Sequence, residues 1–383
     1  MDSATKCATR THQWRVMNES RPAGQAIPPI IVFLVLITPH SLFAGSGPSW
    51  VQKVESGPTA RAEYGLAFDS DRQRTVLFGG SSDLTFKAVN RETWKWDGED
   101  WTFIGDSSGP SARCDNAMAF DSIRNQVVSF GGFDSGFFSD TWTWDGTVWE
   151  QKLVAGPSAR ADSFMAFDSG NGVMVLFGGL PTVGSIRDDT WFWNGTAWAQ
   201  QSPATVPPRR WIQRMAYDSH RGVVVMFGGV GSASVLGDTW EFDGTNWVQK
   251  FPATIPPARY GAAIAYDSDR RVVLMFGGQT GFNFGVGVLN DTWEWDGTNW
   301  RQLNVTGPGA RTFVKMVYDT GRRVMVLFGG YDGTQMINDT WEFGEPPVPA
   351  VTTWGLVVLT GFIATAGSFL LLRNVRVRIA DQP

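Results

Sequence analysis

The chain has 383 residues, 43% of them hydrophobic and 18% charged, with a net charge of −5. That length accommodates one large domain with additional segments, and the acidic balance offers no basic footprint for nucleic acid. Of the two cysteines, Cys7 falls in an N-terminal leader, so the mature chain is expected to keep only Cys114 and to form no intrachain disulfide.

In chain order, residues 1–45 read as that leader. Lys6, Arg10, Arg15 and Arg21 precede an apolar run from Ile30 to Ile37, followed by Pro39 and a small-residue exit at Ala44-Gly45. Charge, apolar stretch and cleavable exit occur in the order of a secretory signal peptide, and the apolar run is too short to span a bilayer. The basic stretch is long for such a signal, which leaves Met1 and Met17 both open as the start of translation.

Residues 46–344 are built from repeats. Arg61, Arg113, Arg160, Arg210, Arg259 and Arg311 each stand 17 positions before the first residue of a Phe-Gly-Gly, at Phe78, Phe130, Phe177, Phe227, Phe276 and Phe328. A period of about 50 residues marks a propeller or a solenoid. In the third copy, Met165-Ala166-Phe167-Asp168 ends a first strand and Ser169-Gly170-Asn171-Gly172 makes a hairpin turn. Val173 to Phe177 is an apolar run suited to a strand buried on both faces, closed by Gly178-Gly179. A polar loop leads to a third strand at Thr190-Trp191-Phe192-Trp193; Asn194-Gly195 turns the chain, and Trp198 opens a fourth. Four-stranded antiparallel sheets repeated radially make a propeller.

An apolar strand ending in Gly-Gly, followed by two spaced aromatics, resembles the kelch repeat, the family that includes the central domain of galactose oxidase. The first aromatic, often Tyr in that family, is here Trp94, Trp142, Trp191, Trp240, Trp293 and Trp341; the second is Trp101, Trp149, Trp198, Trp247 and Trp300. The resemblance implies an all-β, six-bladed propeller. The sixth copy has no fourth-strand Trp, whereas Trp50-Val51-Gln52-Lys53, ahead of the first copy, matches Trp247-Val248-Gln249-Lys250. The N-terminal strand is therefore expected to complete the last blade and hide its edge.

Beyond the repeats, residues 345–353 form a Pro-rich linker, 354–372 an uncharged transmembrane helix, and 373–383 a tail carrying Arg373, Arg376 and Arg378. This order resembles the C-terminal sorting signals of exosortase-type systems. Val348 to Leu356 is similar to the Ile-Pro-Thr-Leu variant, departing from it at Val348, Ala350 and Val351. The resemblance implies an exported protein anchored at least transiently, with an exosortase-type enzyme as a partner and the span cut or retained.

What repeats is read as scaffold. The six arginines are expected to pair with the acids before each Thr-Trp (Glu92, Asp140, Asp189, Asp238, Asp291 and Asp339) rather than to form an anion-binding ring. Asp69, Asp121, Asp168, Asp218, Asp267 and Asp319 start hairpin turns. Asn194 and Asn304 match glycosylation sequons, but Asn194 occupies a turn slot.

What breaks the repeat is where a ligand is expected. Two positions after the arginine, copies one to three carry Glu63, Asp115 and Asp162, and copies four to six carry Ile212, Gly261 and Phe313. Near them stand Tyr64, Asn116, Ser163, Trp211, Gln213, Arg214, Tyr260 and Lys315, an acidic side facing an aromatic and basic one. Phe137 and Phe282 lie on variable loops of the same face. This mouth suits a glycan or protein ligand, with solvated channel lining as the alternative.

Kelch-type propellers include a copper radical oxidase and a sialic acid mutarotase. Outside the leader the chain has one histidine, His220, in a hairpin turn on the opposite face, which argues against copper, against zinc and against Ser-His-Asp hydrolysis. No cofactor is expected. A carboxylate-based reaction on a sugar, using Glu63, Asp115 and Asp162, stands as the enzymatic alternative, and a purely structural matrix role as a third.

Overall fold

A computed structural model describes residues 47–345, apart from 54–56, 84, 86, 182–184 and 284. The leader, linker, membrane span and basic tail expected from the sequence lie outside these residues. The described chain forms six four-stranded antiparallel sheets, and their innermost strands adjoin one another in a closed circle, so the architecture is a six-bladed propeller.

Each blade is a meander. Blade 1 comprises Gly65–Asp69, Arg74–Phe78, Thr93–Trp96 and Trp101–Gly105. The second strands carry the apolar runs and are buried, for example Val173–Phe177, because neighbouring blades cover both faces. The innermost strands of blades 2 to 6 begin at Ala117, Phe164, Arg214, Ala263 and Lys315. All first strands start on one face of the disc, here called the arginine face, and end on the other, the hairpin face.

The last blade closes as the sequence implied. Ser49–Gln52 pairs antiparallel with Met336–Gly344, with Trp50 opposite Phe343 and Gln52 opposite Trp341. The fourth-strand tryptophan is the clasp between blades. Trp149 rests on Phe78 of the preceding blade, ring centroids 5.1 Å apart, and its indole N–H donates to Thr93 at 3.0 Å. Trp50 repeats both contacts, packing on Phe276 at 5.0 Å and donating to Thr292 at 3.1 Å. It behaves as the fourth strand of blade 6 although it opens the described chain. Gly307 packs so tightly beneath it that a Cβ there would meet the indole Cδ1 at 2.4 Å, which explains the Gly of the interblade turn.

The Phe-Gly-Gly glycines have a second reason to be glycine. Gly79 has φ +72°, and a Cβ there would stand 2.4 Å from the Arg113 carbonyl of the next blade. The amide of Gly80 donates to that carbonyl at 2.9 Å, and the equivalent bond recurs at every blade junction, closing from Gly330 to Arg61.

Candidate functional site

The arginine ring is structural. Arg210, fully buried, donates two parallel bonds to Asp238 at 2.7 and 2.8 Å, one to the Gly228 carbonyl at 3.1 Å and one to the Pro208 carbonyl at 2.9 Å. Asp238 also accepts the Trp240 indole N–H at 2.7 Å. Burial pushes the Asp238 carboxyl up, but the bonds and charge of Arg210 outweigh it and hold the carboxyl below its ordinary range. Arg113, Arg160, Arg259 and Arg311 pair in the same way, and Arg61 makes a single bond to Glu92. The second acid set caps the hairpin turns: Asp218 accepts the amides of His220 and Arg221 at 3.1 Å. Asn194 likewise accepts the amides of Thr196 and Ala197 at 2.9 Å, which engages its side chain in the turn.

The symmetry-breaking acids do converge on the axis. Glu63, Asp115, Asp162, Ile212 and Phe313 all adopt left-handed backbone, with φ between 53° and 58°, and Gly261 has φ 66°. At this position each chain segment turns tightly around the channel. The amide of Asp115 donates to the Glu63 carbonyl at 2.7 Å, Asp162 to Asp115 at 3.0 Å and Ile212 to Asp162 at 3.1 Å; Glu63 donates to Phe313 at 3.2 Å. This ring of backbone bonds between successive blades compensates for the strain of the non-glycine residues. The sequence contained one trace of it, the glycine at the fifth equivalent position.

The three side chains form a hydrogen-bonded chain. Asp115 stands between Glu63 and Asp162 within hydrogen-bonding reach of both, and all three carboxyls are pushed above their ordinary range, so the row retains protons at acidities where an exposed carboxyl has none. Burial is the main cause of all three upward shifts. It raises Glu63 to about 7, against the opposing pull of the Asp115 hydrogen bond, Arg214 and Lys315. Glu63 and Asp115 are buried and Asp162 is half-buried. The cations lie one layer deeper, beneath the acids rather than across from them. Arg214 donates from Nε to the Ala262 carbonyl at 2.6 Å, and Lys315 donates from Nζ to the Asn116 carbonyl at 3.1 Å. The Phe164 ring lies between them, 5.1 Å from the guanidinium and 5.6 Å from the ammonium.

Opposite the acids, the mouth is bordered by an apolar cluster that includes Ile212, Val230, Tyr260, Phe313 and Tyr331, with Trp211 half-buried at its margin. Tyr260 donates its hydroxyl to the Gly281 carbonyl at 3.0 Å. Two of the expected ligand contacts are turned inward. Tyr64 is fully buried, donates to the Phe328 carbonyl and accepts the Lys315 amide at 3.2 Å. Asn116 is buried, with its amide donating to Ser129 at 2.9 Å. Phe137 packs on Phe133 at 5.0 Å and is half-buried, whereas Phe282 is 58% exposed.

Glu63, Cys114 and Asp115 bring a sulfur and two carboxylate oxygens within 4.8 Å of one another. Their chemistry does not fit a metal. The carboxyls are bonded to each other, and the Cys114 thiol donates to Asp115 at 3.2 Å. Burial and the neighbouring acids push that thiol up, away from the thiolate that binds metal.

The architecture and the axial charged layer define a six-bladed propeller whose unlike residues meet at one end of its axis. Among solved structures, that of YjhT is similar, with a TM-score of 0.59 at 14% identity, covering 75% of this chain and 95% of that one. At this identity the likeness establishes fold alone. No protein-family model matches the chain, and no curated protein matches it.

Proposed function

We propose that this chain is an exported, surface-held binding propeller that takes a glycan or protein ligand at the arginine-face mouth of its axis. The observation carrying this reading is the convergence of the unlike residues: three carboxyls, with two cations in the layer directly beneath them, at one end of an otherwise six-fold scaffold. Asp162, the most exposed of the acids, would make the first polar contact. Trp211, which adjoins the Ile212 amide bonded to Asp162, and the exposed Phe282 offer apolar surface for a sugar ring or an apolar side chain. Export and anchoring rest on residues 1–45 and 354–372. N-terminal sequencing of the mature protein should find a start near Gly45, and a start at Asp2 would remove that part of the reading.

A second reading, proton-transfer catalysis on a sugar of the mutarotase kind, is favoured by the carboxyl chain. A carboxyl balanced near pH 7 can both give and take a proton at neutral pH, as Glu63 would. Acids bonded directly to one another leave no room for a glycosidic bond between them, so hydrolysis by two flanking carboxyls fits less well. A glycan array, followed by NMR measurement of anomer exchange for each sugar that binds, tests both readings. Binding without accelerated exchange supports the module, accelerated exchange supports the enzyme, and no binding on any array defeats both for glycans.

A further inference from the structure

Beneath the charged layer the axis opens into a cavity of about 310 Å³ that faces the other way, toward the hairpin turns. Its lining changes in character with depth. The rim is exposed hydroxyls such as Ser122, Ser169 and Thr320, below which come aromatic side chains, Phe68 and Phe120 on one side and Tyr217 and Tyr318 on the other. Next is a layer of small residues such as Ala119 and Ala216, and then one of methionines, including Met118 and Met316. Phe164 and Lys315 form the floor, and Lys315 is the one Lys, Arg, Asp or Glu side chain among the lining residues. Five strand residues separate rim from floor, a depth of about 16 Å. The tyrosines brace the rim from outside: the Tyr318 hydroxyl bonds Asp269 at 2.5 Å, and Tyr217 accepts the Gly170 amide at 3.2 Å.

A funnel that is apolar along its walls, hydroxylated at its mouth and cationic at its end is complementary to one kind of molecule. We propose that the hairpin-face cavity binds a small amphipathic monocarboxylate, its apolar body against the alanine, methionine and aromatic layers and its carboxylate on the Lys315 ammonium. The volume equals about ten waters, enough for a body of roughly that many heavy atoms. Lys315 uses one N–H on the Asn116 carbonyl at 3.1 Å, and an ammonium has three donors. This site is separate from the mouth described above; the two share only the charged layer between them.

That layer makes the site pH-sensitive. Burial, with Arg214 adding like charge, lowers Lys315 to about 8, while Asp115, Glu63 and Asp162 pull it back up. Tyr64, whose hydroxyl bonds the Lys315 amide, is pushed upward by burial and stays neutral throughout. As pH rises, ionised carboxyls of the layer compete for the cation, and the lysine itself loses its proton. Both changes weaken carboxylate binding in the same direction.

The test is calorimetry on the full chain at pH 6.5 with butanoate, hexanoate and octanoate, and with the matching alcohols and amines. Affinity should rise several-fold per added methylene, carboxylates should exceed alcohols at least tenfold, and amines should not bind. Lys315→Met should bring carboxylates and alcohols level. Ala119→Leu, which fills the small-residue layer without touching the charges, should weaken every ligand at least tenfold. If Lys315→Met fails to fold, the pH series replaces it: carboxylate affinity should fall between pH 6.5 and 9.5 while alcohol affinity stays constant. No binding, equal affinity for alcohols and carboxylates, or an Ala119→Leu variant that binds as the native chain does would each overturn the proposal.

Discussion

Trp50→Ala tests ring closure at one side chain. Trp50 is 7% exposed, lies on Phe276 and Phe343 with centroids 5.0 and 5.1 Å away, and donates to Thr292 at 3.1 Å. A buried indole removes about 200 Å² from water, worth up to about 5 kcal/mol. The lost hydrogen bond adds about 1 kcal/mol, and partial collapse of the site takes some of this back. A net loss of about 4 kcal/mol follows, or roughly 6 °C in melting temperature for a domain of this size. The control is Trp149→Ala. It removes the same contacts, to Phe78 and Thr93, within a blade whose four strands are continuous in the chain. Thermal melts followed by tryptophan fluorescence should show comparable losses for both variants. If Trp149→Ala destabilises as expected while Trp50→Ala leaves the melt unchanged, the N-terminal strand does not close the ring. Deleting residues 49–54 should then be harmless as well, whereas closure predicts sharp destabilisation and exposure of an aggregation-prone edge.

Arg210→Met should cost about 3 kcal/mol in urea unfolding, because it leaves the largely buried Asp238 carboxylate with the Trp240 indole but no counter-charge; loss of ligand binding at unchanged stability would restore the anion-ring reading. Glu63 sets a pH dependence. Its folded pKa is raised, so the folded state holds a proton that the unfolded chain releases between about pH 4.5 and 7. Stability from this group is therefore present below pH 4.5 and lost as pH rises to about 7, by about 3 kcal/mol. Urea melts across that window should show the decline, and Glu63→Gln should make it shallower, with Asp115 and Asp162 keeping their own share; an unchanged slope in the variant would place the titration elsewhere.

The scaffold was legible because its causes are local and repeated six times. An apolar strand, a Gly-Gly and spaced tryptophans each solve a packing problem that recurs at every blade, so comparison of copies identified strands, closure and the arginine–acid pairs. The site was legible only as a set of positions. Copy-to-copy comparison located Glu63, Asp115 and Asp162 at the axis, but not the depth of each side chain. Sequence position alone does not show that Tyr64 and Asn116 are buried, with the Phe328 carbonyl and Ser129 as their hydrogen-bond partners. Arg214 and Lys315 begin their strands two positions beyond the residues equivalent to the acids, Ile212 and Phe313, which sets them a layer lower. The hairpin-face cavity left little sequence signal. Its walls are the methionines and alanines of six innermost strands, which also read as ordinary core.

The central claim is that the unlike residues at the arginine-face mouth, not the repeated ones, recognise a ligand. Asp162→Asn tests it most directly, since this half-buried acid begins the carboxyl chain and the substitution preserves its shape. Affinity for the strongest array ligand should fall at least tenfold, with the melting temperature held within a few degrees of the native value. Unchanged affinity in a correctly folded Asp162→Asn variant would contradict the account and move recognition away from the axis.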